Sequence, residues 1–302
     1  MTVNLGIVAY VWGAQQQDRL LLECLAPAFA ELRRHGLAHH FWFDRFDARG
    51  PHLFAVLTLP GDAAPEVSGR LATQLGDFIA AHPDTKTYSA EQLARRHEET
   101  RRRQQCEVDR RPGFGANNSF EIFEHPARGY PFWLSAGLPE EDELWDLVTG
   151  LSLWAIGQLA ARPGTPALAA AQRYVASVTT ELRRAGARPA DYWLHHAPTL
   201  IPDLFAGMPP EQRAATLTEL AANVGAHHPG LAAAWREAEA GPVWPGLPRM
   251  IGLILAGSGG GAPWPLLREI DHCVLKQLGV PAVLQIPPVL YAWRRSAADP
   301  VR

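Results

Sequence analysis

Three polar groups interrupt an apolar stretch early in the chain. In residues 41–59, FWFDRFDARGPHLFAVLTL, Asp44, Arg45 and His52 stand among Phe, Trp, Val and Leu. Burying such groups is costly unless they have partners, so either they pair with one another or they line a cleft. A carboxylate, a guanidinium and an imidazole together offer proton transfer and anion binding. Residues 120–125, FEIFEH, place Glu121, Glu124 and His125 in another aromatic run, and a carboxylate in that setting is a site candidate. DYWLHHAP at 191–198 brings Tyr192, His195 and His196 together between helices, either as a site or as a packing knot. GSGGGAPW at 257–264, with Ser258 and Trp264, follows the apolar run MIGLILA. It has neither Lys-Ser/Thr nor GxGxxG, so it reads as a flexible loop that shapes a pocket rather than a phosphate cradle.

Other chemistries lack their residues. The histidine pairs His39-His40, His195-His196 and His227-His228 are adjacent, and neighbours in sequence do not converge on one ion; HExxH is absent, and no metal is expected. No GxSxG elbow supports a covalent hydrolase. Cys24, Cys106 and Cys273 are odd in number and have no CxxC spacing, which fits a reducing cytoplasm. A net charge of −3 gives no electrostatic case for nucleic acid or an anionic membrane. The apolar run near the start is too short to span a bilayer, and the expected localisation is cytoplasmic. At 302 residues, 47% of them hydrophobic, the chain can bury a sizeable core.

Several elements must position these groups. Residues 3–12 alternate as a strand. Residues 18–34 have helical spacing and stop at Gly36. Residues 41–46 and 52–59 flank DARGP as a β-hairpin, in which Arg45 shares a face with Phe41 and Phe43, and Asp44 with Trp42 and Phe46. Residues 65–81 and 88–103 are amphipathic helices, and 117–124 is a fourth strand. The order β-α-β-β-α-α-β is close to a ferredoxin-like half with an antiparallel sheet. Helical patterns then cover 140–161, 166–185, 211–224, 250–256 and 265–278. The tail VPAVLQIPPVLYAWRR, punctuated by proline, reads as extended. The fold class is thus α+β: a ferredoxin-like antiparallel sheet half followed by a mostly helical half.

The hairpin resembles the signature of the lantibiotic dehydratase C-terminal domain, the thiopeptide-type bacteriocin biosynthesis family. There an aromatic strand ending in Arg-Tyr leads, after a short turn, to a His-Leu-Arg-Leu-Arg strand; here the pattern stands as FWFDRF, a turn, and HLFAVL. The resemblance implies a single elimination-domain-like unit over 1–302, with an α+β lobe at 1–135 and a mainly helical lobe at 136–302, intimately packed. It also implies a reaction on peptides. In the family's elimination enzymes, arginines and a histidine handle a leaving glutamate. Here Phe54 and Val56 stand at the two strand arginines, Glu124 stands where Glu-x-x-Arg-Tyr-Gly has its arginine, and the late His-Met-x-x-Asn-Arg segment survives only as 248–253, PRMIGL.

A site without those cations suits the family's other branch, the thiopeptide pyridine synthases. These join two dehydroalanines of a modified precursor peptide in a formal [4+2] aza-cycloaddition, with loss of water and of the leader peptide. The resemblance therefore implies a cofactor-free cyclase whose partner is the leader and dehydrated core of a precursor peptide. Further biosynthetic enzymes or a second copy of the chain are left open as partners. His52, Glu121, Tyr192 and Ser258 are the expected catalytic groups. Arg45, Asp44, Trp264, Glu124 and His195 are the expected substrate-binding groups. Two alternatives stay open: the glutamate-eliminating half of a split dehydratase, and a non-catalytic module that binds the leader.

Overall fold

A computed structural model describes residues 2–47, 49–104, 113–125, 141–161, 167–257 and 263–298. The chain divides into two compact units, Met1–Gly137 with Glu141–Thr165, and Leu138–Glu140 with Pro166–Arg302.

In the first unit β1 (Thr2–Tyr10) leads to α1 (Ala14–Leu20), a π-helical turn at Leu21–Leu25, and α2 (Ala26–Arg34). The π turn sits just before Pro27, which has no N–H to offer the carbonyl of Glu23. The helix stops where expected: Gly36 takes φ +70°, and Leu37 N–H donates to the Leu32 carbonyl at 2.9 Å. The hairpin is β2 (His40–Phe46) and β3 (His52–Pro60); α3 (Ala64–Ala81), α4 (Ala90–Gln104), β4 (Ser119–His125) and α5 (Glu141–Ala160) follow. A capping box starts α4: Ser89 N–H donates to Gln92 Oε1 at 2.8 Å and Gln92 N–H to Ser89 Oγ at 3.2 Å.

The sheet order is β2-β3-β1-β4 with every pair antiparallel, the ferredoxin-like arrangement. Phe46 pairs with His52, Phe54 with Val8, and Val8 with Glu121. Alternation then sorts the side chains. Leu5, Ile7, Phe41, Phe43, Ala55 and Leu57 share one face and are buried, and Phe41 stacks on Phe29 of α2 with ring centroids 4.6 Å apart. Tyr10, Trp42, Asp44, Phe46, His52, Phe54, Glu121, Phe123 and His125 share the other. Helix α5 lies along the outer edge of β2, where Thr149 Oγ1 accepts the Phe41 N–H at 3.1 Å. The first unit therefore extends past residue 135 to include α5.

The second unit is helical throughout its described residues. It contains α6 (Leu168–Arg184), α7 (Pro189–Leu200), α8 (Pro202–Phe205), α9 (Pro210–Ala221), α10 (Val224–His227), α11 (Gly230–Ala240), α12 (Leu247–Gly257), α13 (Trp264–Gln277) and α14 (Ala282–Ala297). Helix α6 packs against α11, α12, α13 and α14, and it is buried on several sides, from Ala170 and Ala171 through Tyr174–Leu182.

Two sequence expectations are corrected here. DYWLHHAP does not lie between helices but makes up most of α7. The tail is not extended: α14 runs straight through Pro287 and Pro288. Those prolines deny N–H groups only to the carbonyls of Val283 and Leu284, in a first turn where Val283 is 67% exposed and water can serve instead. Burial of Val289, Leu290, Ala292 and Trp293 then outweighs the poor local propensity.

Gly115 offers a sharp test of packing beneath the sheet's polar face, because a Cβ there would meet the Tyr10 ring at 2.3 Å. Gly115→Ala is expected to destabilise the protein by about 1–3 kcal/mol through overpacking. Calorimetric melting reads the effect, and a variant that melts with the wild type rules out so close an approach.

Candidate active site

The first unit gathers polar groups on the aromatic face of its sheet. His52 opens β3 and is buried between Phe46, stacked at 5.5 Å, and Tyr10, tilted at 5.2 Å. Its Nδ1 lies 2.8 Å from the Gly50 carbonyl. A carbonyl only accepts, so Nδ1 carries the hydrogen and, in the neutral ring, Nε2 is the basic nitrogen. Beyond Tyr10 lies Arg49, at the tip of the β2–β3 turn. Its Nη1 donates to the Tyr10 hydroxyl at 2.7 Å and stands 3.5 Å from Glu121 Oε1. Glu121 keeps its side chain 35% exposed, so a carboxylate beside a buried cation can still be reached. Phe54, Phe123 and His125 continue the face, with Phe54 and Phe123 nearly parallel at 6.5 Å and His125 edge-on to Phe54 at 5.5 Å. Gly6 makes room for them, since a Cβ there would lie 2.9 Å from the Phe123 ring.

The other hairpin groups are placed differently. Asp44 shares the His52 face and is fully buried, its Oδ1 accepting the Arg45 N–H at 2.6 Å. Arg45 points to the opposite face, where it pairs with Asp18 of α1 and reaches Gln17 Oε1 at 3.5 Å. That geometry ties the sheet to α1. Glu124 is exposed and takes the parity of Phe120 and Ile122, away from Glu121.

The second unit holds a separate polar cluster. Asp271 of α13 is buried, and both its oxygens are occupied: Tyr174 donates to Oδ1 at 2.7 Å and Tyr192 to Oδ2. The Tyr192 hydroxyl also meets His196 Nδ1 at 3.1 Å. When Asp271 is ionised and both phenols donate to it, above about pH 7, Nδ1 carries its own hydrogen toward Tyr192 and leaves Nε2 as a lone pair. That atom is buried with no hydrogen-bond partner among the described residues, and so is His195 Nε2. The Trp264 ring lies 5.7 Å from Tyr192. Arg268 is held by Glu269 at 2.6 Å.

Burial dominates the protonation of this cluster. It pushes Asp271 up to about 7, against the two tyrosine hydrogen bonds that favour the carboxylate. It pushes His196 down to about 3, helped by the charge of Arg268, and lowers His195 for the same two reasons. Tyr174 and Tyr192 are held well above the usual phenol range by burial and then by Asp271, so both stay protonated donors. Tyr192 is fully buried, with its hydroxyl committed to Asp271.

Of the residues singled out from sequence, His52, Glu121, Asp44, Arg45 and Glu124 thus belong to the first unit, and Tyr192, His195 and Trp264 to the second. Ser258 lies outside the described residues. The structure brings His52 and Glu121 onto one face, joined through Tyr10 and Arg49, and sends Arg45 and Glu124 to the other. Sequence reasoning missed Tyr10, Arg49, Tyr174 and Asp271. Strand alternation would have found Tyr10, which shares the parity of Gly6 and Val8. Arg49 carried no signal beyond its place in a turn.

The opposed shifts in the second unit make a signed prediction. Asp271, raised from an ordinary 3.8 to about 7, contributes stability that is present at low pH and is lost as pH rises toward 7. His196, lowered from 6.5 to about 3, contributes stability that is present above 6.5 and is lost as pH falls toward 3. Between pH 4 and 6.5 the two contributions oppose each other. Relative to wild type, Asp271→Asn should therefore lose stability as pH falls through that window, and His196→Gln should lose it as pH rises. Each should tilt by on the order of 1 kcal/mol per pH unit. Urea titrations at several pH values test this, and two variants with the wild-type slope would sink it.

Residues 8–110 match the family model described as lantibiotic biosynthesis dehydratase C-term. Among solved structures, the chain is similar to TbtD, the pyridine synthase from thiomuracin biosynthesis, at 18% identity over 98% of each chain with a TM-score of 0.64. It is also similar to TsrL, at 15% identity over 98% of this chain and 95% of that one, with a TM-score of 0.53. At these identities what is shared is the fold. No curated protein matches.

Proposed function

We propose that the chain belongs to the lantibiotic dehydratase C-terminal and pyridine synthase-like family and is a thiopeptide pyridine synthase. Its substrate is a dehydrated precursor peptide. Two carbon–carbon bonds close a six-membered ring: one joins the methylene carbons of two dehydroalanines, the other joins an alkene carbon to an amide carbonyl carbon. The amide supplies the ring nitrogen. Loss of water and then of the leader, as its carboxamide, leaves the aromatic pyridine. Each elimination needs a base to take a proton from the ring and an acid to protonate the departing oxygen or nitrogen.

The observation that carries this reading is the aromatic sheet face. Phe54 and Val56 share that face with His52, at the strand positions where the family's glutamate-eliminating enzymes have arginines. A wall of Phe46, Phe54 and Phe123 suits two alkenes held in reacting geometry, where proximity supplies much of the acceleration. It suits a departing glutamate poorly, because such an anion calls for preorganised cations. In this reading His52 Nε2 serves as base, and the reachable carboxyl of Glu121 exchanges protons with the leaving groups. Arg45 anchors the sheet to α1, and Tyr192 supports the helical unit through Asp271.

Purified protein incubated with a linear, dehydrated, azole-bearing peptide should release the leader and yield a macrocycle. His52→Ala and Glu121→Gln should each slow that release by about 10²–10⁴-fold. Mass spectrometry follows the reaction. Both variants cyclising at the wild-type rate would remove the residue assignment. Loss of glutamate from a glutamylated peptide, with no cyclisation, would instead favour the elimination reading.

A further inference from the structure

We propose that Arg49 is a positioning residue: its guanidinium, delivered by the β2–β3 turn rather than by a strand, holds the Tyr10 phenol and the Glu121 carboxylate in place beside His52. The inference deepens the reading above and rests on it for the chemistry served.

The backbone is the first argument. Arg49 has φ +59°, in the left-handed region, and Asn118 is the only other non-glycine with positive φ among the described residues. Asn is tolerated there because of its short polar side chain, and Asn118 also accepts the Asp84 N–H at 2.7 Å. Arginine has no such preference, and glycine would take the conformation without strain. A long cationic side chain kept in a strained turn position, and buried, has a role that its backbone does not explain.

The surroundings fix the residue at both ends. Arg49 N–H donates to His97 Nδ1 of α4 at 3.3 Å, and its carbonyl accepts the Gly115 N–H at 2.8 Å. The guanidinium is a rigid fork of five N–H donors. It uses that fork on the Tyr10 hydroxyl, on Glu121 and on the Gly113 carbonyl at 3.4 Å. Its carbon also lies 5.6 Å from the centre of the Tyr10 ring. Tyr10, closely approached by Gly115, in turn packs on His52 at 5.2 Å. One side chain therefore sets the position of a phenol, a carboxylate and, through the phenol, an imidazole. The face that lacks arginines at Phe54 and Val56 receives a cation from the turn, already paired with a carboxylate.

Arg49→Gly is the decisive variant, because it removes the fork while relieving the backbone. Its crystal structure should have the Tyr10 hydroxyl and the Glu121 carboxylate displaced from their wild-type positions. On a dehydrated peptide kcat should fall at least about tenfold with KM little changed, methylguanidinium should restore part of the rate, and Arg49→Lys should recover less than guanidinium does. A lysine ammonium carries the charge without the fork. An Arg49→Gly structure with both groups unmoved, or an Arg49→Gly enzyme with wild-type kcat, overturns the inference. If the wild type cyclises no dehydrated peptide, the functional reading falls, and the variant's structure still decides whether Arg49 positions Tyr10 and Glu121.

Discussion

Pairing of Phe46 with His52 sets the register of the whole hairpin, and through β3 it reaches β1 and β4. Side chains alternate along a strand, so a slip of one residue would exchange the two faces. His52, Phe54 and Asp44 would then meet α1–α3, and Phe41, Phe43 and Arg45 would lose theirs. Two contacts on the helix side hold the register near opposite ends of β2: Arg45 with Asp18, and Phe41 on Phe29. The turn that permits this pairing is the one that strains Arg49. Fold and candidate site are therefore settled by one local arrangement, in which helix-side packing determines what the aromatic side presents.

Much of this first unit was legible before any coordinates. Hydrophobic alternation marked all four strands, Gly36 marked the end of α2, and the FWFDRF–HLFAVL pair gave the family resemblance. Local signals failed where tertiary packing overrode them. Pro287 and Pro288 argue against a helix at every position within reach, yet α14 forms because its apolar face is buried and its first turn is open to water. DYWLHHAP reads as a cluster between helices because its histidines and proline dilute the helical pattern, but it is helical, and Tyr192, Trp193 and His196 all face the interior of the second unit. The site itself was half legible. His52 and Glu121 stood out as polar groups in apolar strands, whereas Arg49 sat in a segment whose only readable property was its turn chemistry. Backbone strain is invisible in a sequence until the turn is built.

The cluster around Asp271 illustrates a different economy of charge. In water near pH 5 an aspartate and a histidine would be ionised with opposite sign. Buried in the second unit they are both neutral, so the pair keeps the same net charge while giving up both ions. Two tyrosines complete the hydrogen bonding of the carboxyl group, while His196 Nε2 is left buried without a partner among the described residues. The helical unit can thus contain a polar centre without the desolvation penalty of a buried ion pair.

Helix α5 has a consequence for the protein in a crowded solution. Strand β2 ends the sheet and carries the run Phe41-Trp42-Phe43, whose outer N–H and C=O groups would offer a template for a strand of another molecule. By lying along that edge, with Thr149 taking the Phe41 N–H, α5 closes the template. A helix contributed from beyond the ferredoxin-like half therefore guards the most aromatic strand against edge-to-edge association, and truncation before residue 141 would expose a sticky surface on an otherwise intact sheet.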